Sequence, residues 1–217
     1  MCGRFTLTTA DVEALARELA AELDRARAVP WRPRYNVAPS DLHWVVVSTA
    51  GRRLLLPARF GLGAPGHPPR INARAESADR LPSFRRLFRE GRCLVPADGF
   101  FEWIGPLGAR RPLWFHRPGG GLLLLAGLCQ EQPEGLAFAI LTTPANAAVS
   151  RAHDRMPAVL SPQAAAAWLE RPNPALLAPA PDGWLAATEV SPRVNSPEND
   201  DPACLEPAAP DRQGSLF

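Results

Sequence analysis

Residues 92–128 constrain the fold of this 217-residue chain more than any other segment. They contain four short stretches rich in branched and aromatic residues, with glycine-rich turns at residues 105–108 and 119–121 between them. Strands that return after so few residues pair antiparallel, because a parallel pair needs a long crossover connection. The segment therefore predicts an antiparallel meander with strands at residues 92–96, 99–104, 112–116 and 122–128.

The rest of the chain adds strands and a few helices to this sheet. Further strands are predicted at residues 4–7, 44–48, 53–60, 136–142 and 188–191. Helices are predicted after a cap at Thr8 or Thr9, over residues 82–90, from Pro144 to Val149, and after Ser161-Pro162. Loops are predicted at residues 30–39 and 61–69.

Together these elements predict an α+β fold. We expect a single domain over residues 2–207, whose antiparallel sheets form an open-barrel-like core with flanking helices. Residues 208–217 are predicted to be a disordered tail.

The composition excludes several classes of protein. No apolar run approaches the roughly 20 residues of a membrane span, and the sequence has no signal-peptide pattern, so a cytoplasmic protein without membrane contact is expected. The four cysteines are scattered and lack metal-ligand spacing, so neither a disulfide framework nor a metal site is predicted. We expect no cofactor and a monomer.

All 24 basic residues are arginines, and the sequence contains no lysine. Any imine that this protein forms must therefore use the α-amine at the start of the chain. Arginine is also the better residue for bidentate contacts with phosphate.

Cysteine is the second residue, and this position gives it a chemistry that an internal cysteine lacks. Its small side chain permits removal of Met1, which leaves a chain that begins with both a thiol and a free α-amine. Their reference pKa values are about 8.5 for the thiol and about 7.7–8.0 for the amine, so both are partly nucleophilic near neutral pH. An aldehyde meeting this pair forms an imine and then closes on the sulfur to a thiazolidine. The alternative for Cys2 is a small buried residue at a frayed terminus.

Two further residues have the chemistry of proton transfer. Strand alternation places Glu102 on the same face as Phe100 and Ile104, where burial should raise the pKa of its carboxyl group. His153 lies in a polar turn and could act as a general acid or base. The alternatives are an exposed strand face for Glu102 and a loop histidine bonded to its neighbours for His153.

Polar residues elsewhere could position such a site. Asn72 and Arg74 alternate in an extended segment and so point the same way. Arginines near these segments could line a phosphate-binding groove, although arginine-rich faces are usually only solvated. These arginines are Arg4, Arg74, Arg85, Arg86, Arg151 and Arg155.

Six ordered motifs in the chain resemble those of the SOS response-associated peptidase (SRAP) family. They begin at Cys2-Gly3-Arg4-Phe5 and continue through Tyr35-Asn36-Val37-Ala38-Pro39, Ile71-Asn72-Ala73-Arg74-Ala75-Glu76, Gly99-Phe100-Phe101-Glu102-Trp103, Leu141-Thr142-Thr143-Pro144-Ala145-Asn146 and His153-Asp154-Arg155-Met156-Pro157. Val194-Asn195 and residues 199–202 are similar to the C-terminal pattern of that family.

This resemblance implies an SRAP fold that binds single-stranded DNA and crosslinks to abasic sites, which are masked aldehydes. It implies that Cys2 forms the imine and thiazolidine, that Glu102 moves protons, and that His153 assists opening of the sugar ring. It further implies that Asn72 orients Cys2 and that Arg4 and Arg74 hold flanking phosphates. Self-removal of Met1 and a weak lyase activity are implied as secondary activities.

Two other functions remain open on the sequence. One is an N-terminal-nucleophile cysteine peptidase or amidohydrolase that uses Cys2 with His153 or Glu102 as base. The other is a non-catalytic DNA-binding or regulatory module. The chain also departs from the family in one loop, because residues 60–69 contain no tryptophan where family members often carry tryptophans that wedge against DNA bases. DNA affinity or junction preference should be weaker as a result, since stacking contributes about 1–3 kcal/mol per base.

Overall fold

The computed structural model describes residues 2–27, 29–64, 67–106 and 108–208, and short strands make up most of this part of the chain. Numbered in chain order, the strands are β1 Phe5–Leu7, β2 Glu22–Leu23, β3 Arg34–Val37, β4 Leu42–Thr49, β5 Arg52–Phe60, β6 Leu62–Ala64, β7 His67–Arg70, β8 Asn72–Arg74, β9 Arg92–Ala97, β10 Gly99–Ile104, β11 Arg111–His116, β12 Leu123–Gln132, β13 Gly135–Pro144, β14 Arg155–Pro157, β15 Val159–Leu160 and β16 Ala186–Glu189. The α-helices are α1 Val12–Glu18, α2 Ala75–Ala78, α3 Arg85–Glu90 and α4 Pro162–Glu170. Short 3₁₀ helices lie at Pro174–Leu176, Pro192–Asn195 and Pro202–Leu205.

One sheet has five antiparallel strands in the order β16-β11-β10-β1-β3. Alternation along each strand directs Phe5, Phe100 and Phe115 to its inner face, where all three are fully buried. Gly99 allows close packing within this sheet, because a Cβ atom at this position would lie 2.0 Å from Nε1 of Trp114.

The second sheet follows the path β14-β13-β12-β9-β4-β5-β2, with β15 and β8 attached to β12 and β13. Its path curls back on itself, because Ala137 and Phe138 of β13 pair in parallel with Arg59 and Phe60 of β5. This contact is only two residues long, so the sheet forms an open barrel. The predicted α+β fold with an open-barrel-like core is confirmed.

Two large apolar layers, with a small third cluster around Phe101 and Cys204, stabilise this arrangement. The first lies between the sheets and contains Cys2, Phe5, Phe100 and Phe138. The second lies under the helices and is centred on Trp168 of α4, which is fully buried and packs edge-on against Phe88. The site described below lies at the first layer.

The meander predicted over residues 92–128 is confirmed for the pairing of β10 with β11, and its other pairings are wrong. β9 pairs with β12 in the open barrel, whereas β10 pairs with β11 in the five-stranded sheet. Between β9 and β10, the carboxylate of Asp98 accepts hydrogen bonds from the Thr6 hydroxyl and from the backbone N–H and hydroxyl of Thr8. These bonds direct the chain from one sheet into the other, which a pattern of strands and turns does not reveal.

Several predicted local elements also differ from the structure. The loop predicted at residues 30–39 contains β3, and the loop predicted at 61–69 contains β6 and most of β7, with residues 65 and 66 outside the described residues. Asp11, rather than Thr8 or Thr9, caps α1, and residues 147–150 form turns instead of the predicted helix. The helix capped by Ser161 is confirmed.

The C-terminal segment is fastened to the N-terminal strands by polar side chains. Asn36 is fully buried, and its amide nitrogen donates to the backbone carbonyls of Val194, Ser196 and Asn199 at 3.2, 3.0 and 2.7 Å. Its amide oxygen accepts from Arg4 at 2.8 Å. The segment therefore belongs to the same folded unit as β1 and β3, while residues 209–217 of the predicted tail lie outside the described residues.

Replacing Asn36 with alanine should lower the free energy of unfolding by about 2–3 kcal/mol, because buried carbonyls and the Arg4 guanidinium lose their partner. Urea denaturation measures this quantity. The control is Asn173→Ala, which removes one exposed cap to the backbone N–H of Ala175 and should cost less than about 1 kcal/mol. Equal losses for the two variants would contradict the importance of the buried network.

Candidate active site at Cys2

Cys2 lies just before β1 and is fully buried in the layer between the two sheets. Burial raises the pKa of its thiol, and the nearby Glu102 carboxylate raises it further. The backbone N–H of Arg4 hydrogen-bonds to the sulfur and acts in the opposite direction with a smaller effect. The thiol is therefore held in its protonated form at neutral pH.

Glu102 points from β10 into the same layer, on the face shared with Phe100, as the strand alternation predicts. The residue is only 4% exposed, which excludes the alternative of a solvated strand face. Burial raises the pKa of the carboxyl group, and the positive charge of a protonated His153 would lower it. A carboxyl group whose pKa is raised in this way is better suited to proton transfer than a solvated one.

Asn72 reaches Cys2 from β8, which runs parallel to β13 with Asn72 opposite Ile140. Its amide nitrogen donates to the backbone carbonyl of Cys2 at 3.2 Å. Its amide oxygen is buried and has no hydrogen-bond partner among the described residues. The side chain thus fixes the backbone of Cys2 and presents a free acceptor beside it.

His153 approaches Glu102 from the turn before β14. Its Nδ1 accepts the backbone N–H of Arg155 at 2.9 Å, so the neutral ring carries its proton on Nε2. Asp154 Oδ1 lies 2.8 Å from the same Nδ1, a contact that becomes favourable only when the ring is doubly protonated. The electrostatic interaction of His153 and Asp154 with Glu102 places the turn next to the carboxyl group.

The arginines predicted to bind DNA fall into two groups. Arg4 and Arg155 are engaged within the protein: Arg4 donates to Asn36 and to the Val194 carbonyl, and Arg155 forms a bidentate pair with Glu76. Arg74, Arg85 and Arg86 are exposed. Their role in DNA binding stays a prediction.

A separate cleft of about 490 Å³ lies around Arg86, Glu90 and Cys129. Cys2, Asn72, Glu102 and His153 do not line it. The candidate site is therefore defined by the buried polar groups around Cys2 and not by this cleft. Across the described residues, acidic, histidine and cysteine side chains form no cluster that could hold a metal ion, and no helix is long and apolar enough to cross a membrane.

Sequence reasoning gave no role to several residues that build the site. Asn36 and Asp200 occur in the motifs, but the sequence assigned no role to either of them. In the structure, Asp200 accepts hydrogen bonds from the backbone N–H groups of Tyr35 and Asn36 at 2.6 and 2.9 Å. Asp98 belongs to none of the six motifs, although it directs the turn into β10. An acidic residue between two strand-like segments was the one signal that could have indicated it.

Fold and site together define a class: an α+β protein that buries a cysteine at the start of its chain beside a carboxyl group, an amide and an imidazole. A family model described as SOS response associated peptidase (SRAP) matches residues 1–197. The chain belongs to the SRAP family.

Curated relatives match along most of the chain. Abasic site processing protein YoqW of Bacillus subtilis is 32% identical over 228 residues, which covers 95% of this chain and 99% of the relative. Abasic site processing protein YedK of Escherichia coli is 36% identical over 182 residues, with 79% and 80% covered. Abasic site processing protein HMCES of Mus musculus is 30% identical, with 96% and 76% covered.

Solved structures share the fold. A protein from Bacteroides thetaiotaomicron superposes with a TM-score of 0.80 at 21% identity, covering 96% of this chain and all of the other. A protein from Bordetella bronchiseptica superposes with a TM-score of 0.70 at 25% identity, covering 88% of this chain and all of the other.

The raised pKa of Glu102 predicts a pH-dependent effect of Glu102→Gln on stability. Because the folded state holds the proton more tightly than the unfolded state, wild-type stability falls as pH rises above the unfolded-state pKa of about 4.3. The glutamine variant lacks this loss, so its stability relative to wild type should rise by about 1.4 kcal/mol per pH unit until the folded-state pKa is passed.

Urea denaturation between pH 4 and pH 8 measures the difference. Glu134→Gln is the control, because the Glu134 side chain is 80% exposed. A difference between Glu102→Gln and wild type that stays constant over this range would contradict the raised pKa.

Proposed function

We propose that this protein, once Met1 has been removed, captures abasic sites in single-stranded DNA covalently through Cys2 and shields them during the response to DNA damage. The observation that carries this proposal is the burial of Cys2 beside Glu102 and Asn72. The curated relatives, which are named abasic site processing proteins, support the same substrate.

The proposed reaction uses the amine before the thiol. The Cys2 α-amine adds to C1′ of the ring-opened abasic sugar, and the resulting carbinolamine loses water to give an imine. The thiol then adds to the imine carbon, its proton leaves, and the nitrogen gains a proton, which closes the thiazolidine ring. One water is released, and no oxidant or reductant is needed.

Glu102 and His153 supply the proton transfers in this scheme. Glu102 moves protons between the amine, the carbinolamine oxygen and the thiol, for which its raised pKa is suited. His153 protonates the sugar oxygen to assist ring opening. The free amide oxygen of Asn72 accepts a hydrogen bond from the Cys2 amine, while its nitrogen holds the Cys2 carbonyl.

DNA binding on this proposal relies on arginine rather than on stacked tryptophans. Arg74 follows Asn72 by two residues and is exposed, so it is placed to contact a phosphate beside the abasic nucleotide. Arg4, Arg85, Arg86 and Arg155 are further candidates. We propose a monomer that acts in the cytoplasm.

We also propose two secondary activities. Removal of Met1 by the protein itself would be a single hydrolytic event at the bond before Cys2, as the family description as a peptidase suggests. A weak lyase activity would follow from the imine, which favours elimination at the sugar. Turnover of peptides in trans is the competing function, and it predicts hydrolysis of a peptide library without any reaction with abasic DNA.

Incubation of Met1-free protein with a single-stranded oligonucleotide containing one abasic site should give a stable shifted band on a denaturing gel. Cys2→Ala should abolish this band, because an imine alone hydrolyses, and borohydride should restore it by reducing the imine. Intact mass should show protein plus oligonucleotide minus one water.

Cys204→Ala is the matched control, since Cys204 is equally buried but lies in a different apolar cluster. A version with one extra residue before Cys2 should not react. A Cys2-independent stable band, or no band with the processed protein, would refute the proposed function.

A further inference from the structure

Glu76 forms an ion pair that no step of the proposed reaction uses. Its two carboxylate oxygens accept from the two terminal nitrogens of Arg155 at 2.6 and 2.8 Å. Glu76 lies in the first turn of α2, directly after the segment that carries Asn72 and Arg74, while Arg155 follows His153 by two residues. The pair therefore spans the two segments that deliver residues to the site.

The geometry gives the two partners unequal exposure. One terminal nitrogen of Arg155 also donates to the Thr142 carbonyl at 2.5 Å, and the Arg155 side chain is only 12% exposed. The Glu76 side chain is 48% exposed and covers the outward edge of the guanidinium group. If Glu76 moved away, Arg155 would remain anchored from inside and present its free edge to solvent.

A phosphate group can use the same edge. Carboxylate and phosphate both bind the guanidinium group through two parallel hydrogen bonds. The hydrogen bonds from Arg155 lower the pKa of Glu76, and the charge of the exposed Arg74 lowers it further, so the carboxylate lies among groups suited to an anion. Because Arg155 also donates to the Thr142 carbonyl, a phosphate could displace the Glu76 carboxylate while the guanidinium group stays anchored.

We propose that the Glu76 carboxylate competes with DNA for Arg155. It occupies the guanidinium group until a backbone phosphate of single-stranded DNA replaces it. The proposal rests on the proposed function for its ligand. It assigns Glu76 the role of lowering affinity for single-stranded DNA in general. Arg155 then becomes a phosphate contact that exists only in the complex.

The test measures binding without crosslinking. Proteins in a Cys2→Ala background are titrated into a fluorescent single-stranded oligonucleotide without abasic sites, and anisotropy gives Kd at several salt concentrations. Glu76→Gln should lower Kd by about 3–10-fold near 50 mM salt, because Arg155 gains a phosphate. The slope of log K against log salt should become steeper by about 0.7, the value for one added contact on a single strand.

Two further variants separate this proposal from simpler explanations. Glu22→Gln removes the same charge from another bidentate arginine pair, that with Arg52, and should change neither Kd nor the salt slope. Adding Arg155→Gln to Glu76→Gln should abolish the gain in affinity.

Unchanged or weaker binding by Glu76→Gln overturns the proposal, as does an equal gain with Glu22→Gln or a gain that survives without Arg155. Failure of the proposed function would give a different result. Protein with Cys2 would then not crosslink to abasic DNA, while Glu76→Gln would still bind single-stranded DNA more tightly.

Discussion

The pairing of β1 with β10 is the interaction on which the site depends. Phe5 lies opposite Phe100, and the backbone N–H of Phe101 donates to the Arg4 carbonyl at 2.9 Å. This register brings the residues before β1 alongside the continuation of β10, so that Cys2 and Glu102 are buried in the same apolar layer. A slip of one residue would turn Glu102 to the opposite face of the sheet and remove the carboxyl group from the thiol.

Holding a polar site in an apolar layer requires support from outside that layer. A buried carboxyl group and a buried thiol contribute nothing favourable by themselves, so their position must be enforced by neighbouring bonds. Asp98 fixes the end of β1 against the start of β10, and Asn36 with Asp200 fastens the C-terminal segment behind β3. These hydrogen bonds lie around the site and involve none of the proposed reacting atoms. Their role is therefore to stabilise the fold that holds the site.

The sequence predicted the fold class, most strands and the face on which Glu102 lies, because local alternation and glycine turns carry that information. It could not predict that β9 and β10 belong to different sheets, since the deciding contact joins Asp98 to Thr6 and Thr8, about 90 residues away. The candidate site followed from motif order and from the absence of lysine. The engagement of Arg155 by Glu76 could not be predicted, because the two residues lie in separate motifs and only the pairing of β8 and β14 with β13 brings them together.

In the proposed reaction, burial also determines the order in which the amine and the thiol of Cys2 act. A thiol whose pKa is raised by desolvation and by Glu102 has little thiolate to offer, so it is a poor first nucleophile. The α-amine has a lower reference pKa, about 7.7–8.0, so more of it is unprotonated near neutral pH and it can add first. When the thiol then closes on the imine, its proton must leave as the nitrogen gains one. In the proposed reaction Glu102 carries these protons, because its charge acts on the Cys2 thiol and the burial that disfavours the thiolate also raises the pKa of this carboxyl group. The same apolar environment therefore delays the thiol and provides the proton carrier that its later step requires.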